Sequence, residues 1–114
     1  MIAVIFEVTP AAGKKEPYLQ VAARMRDLLE DMEGFISVER FQSLTNPEKL
    51  LSLSFWEDEE AVARWRALSE HRGAQKQGRD NLFAGYRLRV AGVIRDYGME
   101  ERDQAPEDSL EVHG

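Results

Sequence analysis

Leu50-Leu-Ser-Leu-Ser-Phe-Trp56, then Glu57-Asp-Glu-Glu60, then Ala61-Val-Ala-Arg-Trp65: across these sixteen residues one periodicity gives way to another. In the first seven, large apolar residues alternate with serine. A period of two puts Leu51, Leu53 and Phe55 on one face of a strand and Leu50 and Trp56 on the other. Asp58 is a good helix cap, and Glu59 and Glu60 suit the first turn, where the amide dipoles favour negative charge. Ala61, Val62, Trp65 and Leu68 then recur at helical spacing. A buried strand feeding a capped amphipathic helix is the centre of the fold.

Working outward, Ile2-Ala-Val-Ile-Phe6 is a short apolar run of β-formers, read as a strand buried on both faces and broken by Thr9-Pro10 and Gly13. Pro17 suits the start of a helix. Tyr18, Val21, Ala22, Met25, Leu28, Leu29 and Met32 continue it at spacings of three and four until Gly34 stops it. Phe35 to Ser43 alternates in part, and Leu44-Thr-Asn-Pro-Glu48 supplies turn chemistry, so a hairpin joins this strand to the quoted one. Ser69 looks like a second cap, opening a shorter helix that ends at Gly78. Tyr86 to Arg95 alternates as a final strand.

The order is βαββαβ. It predicts an α+β, ferredoxin-like domain: a four-stranded antiparallel sheet with helices on one face. The strands carry apolar residues on both faces, and two helices cover only one. Pairing sheet to sheet with a second copy solves this for so small a chain, so a homodimer is expected.

Composition bounds the chemistry. The 114 residues, 43% hydrophobic, suit one domain and are too few for two good cores. Without cysteine there is no disulfide, thiolate nucleophile, iron–sulfur cluster or zinc–thiolate site. The net charge of −6 is localised: residues 99–114 hold six carboxylates against Arg102, and the body is close to neutral. Residues 1–98 therefore read as the domain and 99–114 as an acidic, flexible, solubilising tail. A body with no basic face argues against nucleic acid as a partner. With no apolar run near the roughly 18 residues of a membrane span and no leader-like start, the expectation is a cytoplasmic protein without a membrane partner.

Gly34-Phe-Ile-Ser-Val-Glu39 after an amphipathic helix, Leu51 to Glu57 before an acidic helix start, Ala61 to Trp65, and Glu70-His71 with Ala74 together resemble the antibiotic biosynthesis monooxygenase domain over about residues 1–97. The resemblance implies a dimeric α+β barrel with a cavity between sheet and helices. Some members of that family oxygenate aromatic polyketides or quinols with neither metal nor flavin, using molecular oxygen as co-substrate. Others degrade haem, and many have no established substrate. Members that degrade haem carry a first-strand Asn and an axial His about ten positions after the second Trp. Here Glu7 and Gln75 fall near those positions, and His71 follows Trp65 by only six, which disfavours haem.

The leading expectation is a cofactor-independent monooxygenase acting on a small aromatic or quinol-type molecule. A non-catalytic small-molecule binding or stress-related dimer stands as the alternative. His71 is the candidate catalytic residue, since an imidazole titrates near neutrality and oxygen reacts most readily with an ionised, electron-rich donor. Trp65, Phe83, Tyr86 and Arg40 are the candidate substrate-binding residues. Each has a plainer alternative. Burying a tryptophan removes about 150–250 Å² from water, enough to account for Trp56 or Trp65 as core. Phe83 and Tyr86 could plug a cavity mouth. Arg40 shares a face with Ile36 and Val38 and needs either a carboxylate mate, for which Glu7 is suitable, or an anionic ligand. The glycine spacing in 73–80 imitates a phosphate loop without its Lys-Ser/Thr, and no histidine pair accompanies Asp58-Glu59-Glu60, so neither a nucleotide nor a metal site is expected.

Overall fold

A computed structural model describes residues 1–71 and 82–114, apart from the side chains of Glu70 and His71. Its elements run β1 (Ile2–Pro10), α1 (Lys15–Leu29), β2 (Phe35–Gln42), β3 (Leu50–Trp56), α2 (Glu59–His71), β4 (Phe83–Gly92) and α3 (Glu107–His113). The four strands form one antiparallel sheet in the order β2-β3-β1-β4. The βαββαβ core of the expected fold is present. No helix among the described residues is long and apolar enough to cross a membrane.

The register fixes the two faces. Ala3 pairs with Phe55, Ile5 with Leu53 and Glu7 with Leu51, while Phe41 lies opposite Leu51 from β2. These residues form the outer face. Val4, Phe6, Val38, Arg40, Ser52, Ser54 and Trp56 form the inner face, toward α1 and α2. In this single chain only Ala3 and Val8 of β1 are buried, and the residues between them on both faces stay part-exposed. The sequence reading had both faces of β1 buried.

Local chemistry explains most of the boundaries. The Asp58 carboxylate accepts from the Ala61 amide at 2.8 Å, the expected cap of α2. Pro17 falls in the first turn of α1, where its missing N–H costs nothing. Helix α1 ends at Leu29, short of Gly34. Gly34 instead makes a turn at φ 86° that feeds β2, and its backbone packs so closely on α2 that a Cβ there would lie 2.6 Å from that of Ala61.

Three expectations shift. Ser69 is not a cap: α2 runs through it to His71, and its hydroxyl donates back to the Arg66 carbonyl at 3.1 Å. The helix read as ending at Gly78 lies outside the described residues. Strand β4 starts at Phe83 and ends at Gly92, so Phe83 and Tyr86 belong to the sheet and Ile94, 86% exposed, lies beyond it. The tail carries secondary structure that periodicity did not reveal, since Leu110 and Val112 of α3 face solvent. Arg102 ties this segment together, donating to the carbonyls of Gly98 (3.1 Å) and Gly114 (2.8 Å) and to the Ser109 hydroxyl (2.6 Å) while stacking over Tyr97.

Candidate functional site: a serine-floored cavity under the sheet

The inner face of β3 reads Leu50, Ser52, Ser54, Trp56: large, small, small, large. Each large residue anchors its own core cluster. Trp56 packs with Leu29, Ala61 and Val62, while Leu50 packs with Val8 and Tyr18. Between them the serines are too short to meet the helices, and a cavity of about 430 Å³ remains. That volume is within the range of small-molecule sites. Its walls are mostly apolar, with Val4 and Phe6 from β1, Tyr18 and Met25 from α1, Val62 and Trp65 from α2, and Leu88 and Val90 from β4.

Aromatic rings line both ends. Trp65 lies against Trp56 with ring centroids 6.4 Å apart, and Trp56 meets Phe35 edge-on at 5.3 Å. At the other end Phe83 contacts Phe6, Tyr18 and Tyr86 at 5.7–5.8 Å in edge-to-face geometry. Tyr86 is 49% exposed and lines the cavity from the edge strand β4.

The structure therefore brings four of the five sequence candidates to one cavity: Trp65, Phe83, Tyr86 and Arg40. The fifth, His71, closes α2, and its side chain lies outside the described residues, as does Gln75. Trp56 also lines the cavity, but its indole N–H is spent: it donates to the Ser54 hydroxyl at 2.9 Å in a buried bond. Sequence reasoning missed Ser52 and Ser54. The signal was present, because the period of two that separated Leu51, Leu53 and Phe55 from Trp56 puts both serines on the tryptophan's face.

Arg40 does not pair with Glu7. The two project from opposite faces of the sheet. Glu7 sits on the outer face between Lys49 (2.8 Å) and Arg89 (2.5 Å). Hydrogen bonds from Lys49 and then Arg89 hold its carboxyl below the usual carboxylate range, against a smaller opposing effect of burial. Arg40 faces the cavity, with Nε sealed from solvent and without a hydrogen-bond partner among the described residues. Because Glu7 faces outward, the position nearest the first-strand Asn of haem-degrading relatives does not line this cavity. Among the described lining residues there is no imidazole, thiol or carboxylate.

Comparison with known proteins now adds to this geometry. The family model described as antibiotic biosynthesis monooxygenase matches residues 1–77. The chain belongs to the antibiotic biosynthesis monooxygenase family. Within it, the chain is 44% identical over 101 residues to a protein of Pyricularia oryzae named jasmonate monooxygenase ABM, a match covering 89% of this chain. It is 32% identical over 84 residues to the Bacillus subtilis protein YqjZ, covering 74% of this chain and 72% of that one. The match spans only 47% of the Pyricularia protein, so the chain corresponds to about half of that relative.

Solved structures bear out the fold. Rv0793 from Mycobacterium tuberculosis superposes with a TM-score of 0.75 at 14% identity, over 85% of this chain and 98% of that one. SnoaB from Streptomyces nogalater, a cofactor-independent oxygenase, superposes with a TM-score of 0.72 at 14% identity, over 83% and 94% respectively. The ferredoxin-like protomer of this monooxygenase family is thus shared at a level of identity where only the architecture is carried over.

Proposed function

We propose that this chain is a cytoplasmic, homodimeric monooxygenase that uses molecular oxygen on a small aromatic or quinol-type molecule, without a metal or organic cofactor. The observation that carries this reading is the cavity of about 430 Å³, apolar in most of its lining and flanked by aromatic rings at both ends. Family membership supports the reaction class, and SnoaB is an example of a cofactor-independent oxygenase on this fold. The dimer is supported by the uncovered outer face, where Ile5, Leu51, Leu53 and Phe55 adjoin Phe41, itself 43% exposed.

An electron-rich substrate suits such a site because it supplies its own electrons. An anthrone-type CH₂ loses a proton, and the resulting anion passes an electron to dioxygen. Combination of the two radicals forms a C–O bond, giving a peroxide. Protonation of the outer oxygen and loss of the remaining C–H proton then cleave the O–O bond, leaving a carbonyl and one water. No outside reductant enters. Hydroxylating a saturated carbon, by contrast, requires two further electrons, which ranks jasmonate, the compound in the Pyricularia relative's name, behind electron-rich rings for a cofactor-free site. In this proposal His71 takes the first proton, while Trp65, Phe83 and Tyr86 hold the ring flat.

The alternative, a non-catalytic binding dimer, draws on one observation: the described lining contains no carboxylate or imidazole to act as base. Oxygen uptake with anthrones, naphthols and quinols separates the two. Uptake that falls in His71→Ala supports the oxygenase with His71 as base. Uptake unchanged in that variant removes His71 from the mechanism, and its absence with every compound favours the binding module.

A further inference from the structure

We propose that Arg40 is the anchor of an anion subsite, so that the molecule held in the cavity is a ring compound bearing a carboxylate. The proposal rests on the cavity being the substrate site and adds to it the polar end of the ligand.

Three observations carry it. Arg40 projects from the edge strand β2 into a mainly apolar cavity, and its Nε is buried with no acceptor among the described residues. A guanidinium never gives up its charge in a protein, so shutting its Nε–H away from water without an acceptor costs free energy that a ligand carboxylate would recover, although the Arg40 side chain as a whole is only part-buried. The second observation is charge. The described lining residues include two cations, Arg40 and Arg66, and no Asp or Glu. The carboxylate nearest in the sequence reasoning, Glu7, is held on the opposite face by Lys49 and Arg89 and cannot serve.

The third is the arrangement around Arg40. Ser52 is its register partner on β3, and Ser54 follows on the same inner face. The Ser54 oxygen accepts from Trp56, which leaves its own proton to donate. A planar, two-pronged donor beside hydroxyl groups suits a carboxylate, which accepts two parallel bonds from a guanidinium. The ring of the same molecule then lies toward the aromatic walls. Phosphate would meet the same positive charge, but its three oxygens call for more donors around one point than the Arg40 guanidinium and its register partner Ser52 offer, Arg66 belonging to α2 rather than to the sheet.

Binding to the full-length protein tests this without turnover. Trp56 and Trp65 are its two tryptophans and both line the cavity, so ligand entry should quench intrinsic fluorescence, with calorimetry as a check. The probes are 1-hydroxy-2-naphthoate, its methyl ester and 1-naphthyl phosphate, with jasmonate and methyl jasmonate as an alicyclic pair. The wild type should bind an acid about 10- to 100-fold more tightly than its ester, the range expected of a charged hydrogen bond. Arg40→Leu should abolish that preference, and Arg40→Lys should keep part of it.

Equal binding of acid and ester by the wild type overturns the proposal, as does a preference that survives Arg40→Leu or tighter binding of the phosphate than of the carboxylates. The wild-type comparison stands even if a variant folds poorly. Acid preference without oxygen uptake on any compound would sink the oxygenase reading and leave the subsite intact. Uptake on neutral naphthols with no acid preference would do the reverse.

Discussion

The indole N–H of Trp56 ends inside the protein, on the hydroxyl of Ser54, and this one bond ties the cavity floor to the larger core cluster. Removing the acceptor alone leaves a buried donor unpaired, so Ser54→Ala should cost about 1–3 kcal/mol by denaturant unfolding. Trp56→Phe should make the same serine substitution nearly neutral, since the donor is then gone; a double-mutant cycle with no coupling would contradict the bond. Glu7 offers a second test, read through pH. Its carboxyl is held below the usual range by Lys49 and Arg89, so the folded state binds its proton more weakly than the unfolded chain does. The stability this contributes is present above the ordinary carboxylate range and disappears as pH falls through the folded-state value. Wild type should therefore melt above Glu7→Gln at pH 7, with the gap narrowing as the pH falls below the ordinary carboxylate range. A gap that does not narrow at all as the pH is lowered would mean that the glutamine acts through something other than charge.

At the scale of the element, β3 does two jobs with one alternation. Its odd-numbered residues, Leu51, Leu53 and Phe55, cover the outer face, and its even-numbered ones hold two clusters apart and leave space between them. Filling that space should separate stability from function. Ser52→Leu adds methylene groups to a void, worth about 1–2 kcal/mol of stability, and should remove ligand-induced quenching and any oxygen uptake. A variant that still binds 1-hydroxy-2-naphthoate normally would locate the ligand elsewhere. Much of this was legible in the sequence. The strand from Leu50 to Trp56, the Asp58 cap and the apolar stripe of α1 each state their structure locally, through period and hydrogen-bonding chemistry. The helix ends were less legible, because Gly34 was read as a stop when its positive φ serves the entry to β2. Arg40's partner was misread for a different reason. Glu7 is near enough in type and strand order, but the sheet register puts the two on opposite faces, and register is a property of three strands together. Nor did Ser69 announce itself as helix interior, since a serine fits a cap and a back-bonded turn equally well.

For the molecule as a whole, the question is what covers the outer face of the sheet. A single chain leaves Phe41 43% exposed and Ile5, Leu51, Leu53 and Phe55 only part-buried on this face, while α1 and α2 occupy the other side. Charged residues rim this patch: Glu39 and Arg89 are the register partners of Leu53 and Ile5 from the two edge strands, and Glu7 pairs with Lys49 and Arg89. A second copy presenting the same surface meets apolar area with apolar area, as a two-fold interface requires. Leu53 is the place to test it, because it is the register partner of both Ile5 and Glu39 and so lies in the middle strands of the sheet. Leu53→Asp would bury an unpaired carboxylate in a dimer but leave it hydrated in a monomer, so the substitution acts on association far more than on the protomer. Light scattering after size exclusion should give the wild type twice the chain mass of 13.0 kDa and the variant the single-chain mass, with helical circular dichroism retained. If Leu53→Asp stays dimeric, association uses another surface. If the wild type is itself a monomer at every concentration, the apolar outer face must be covered by something other than a second copy.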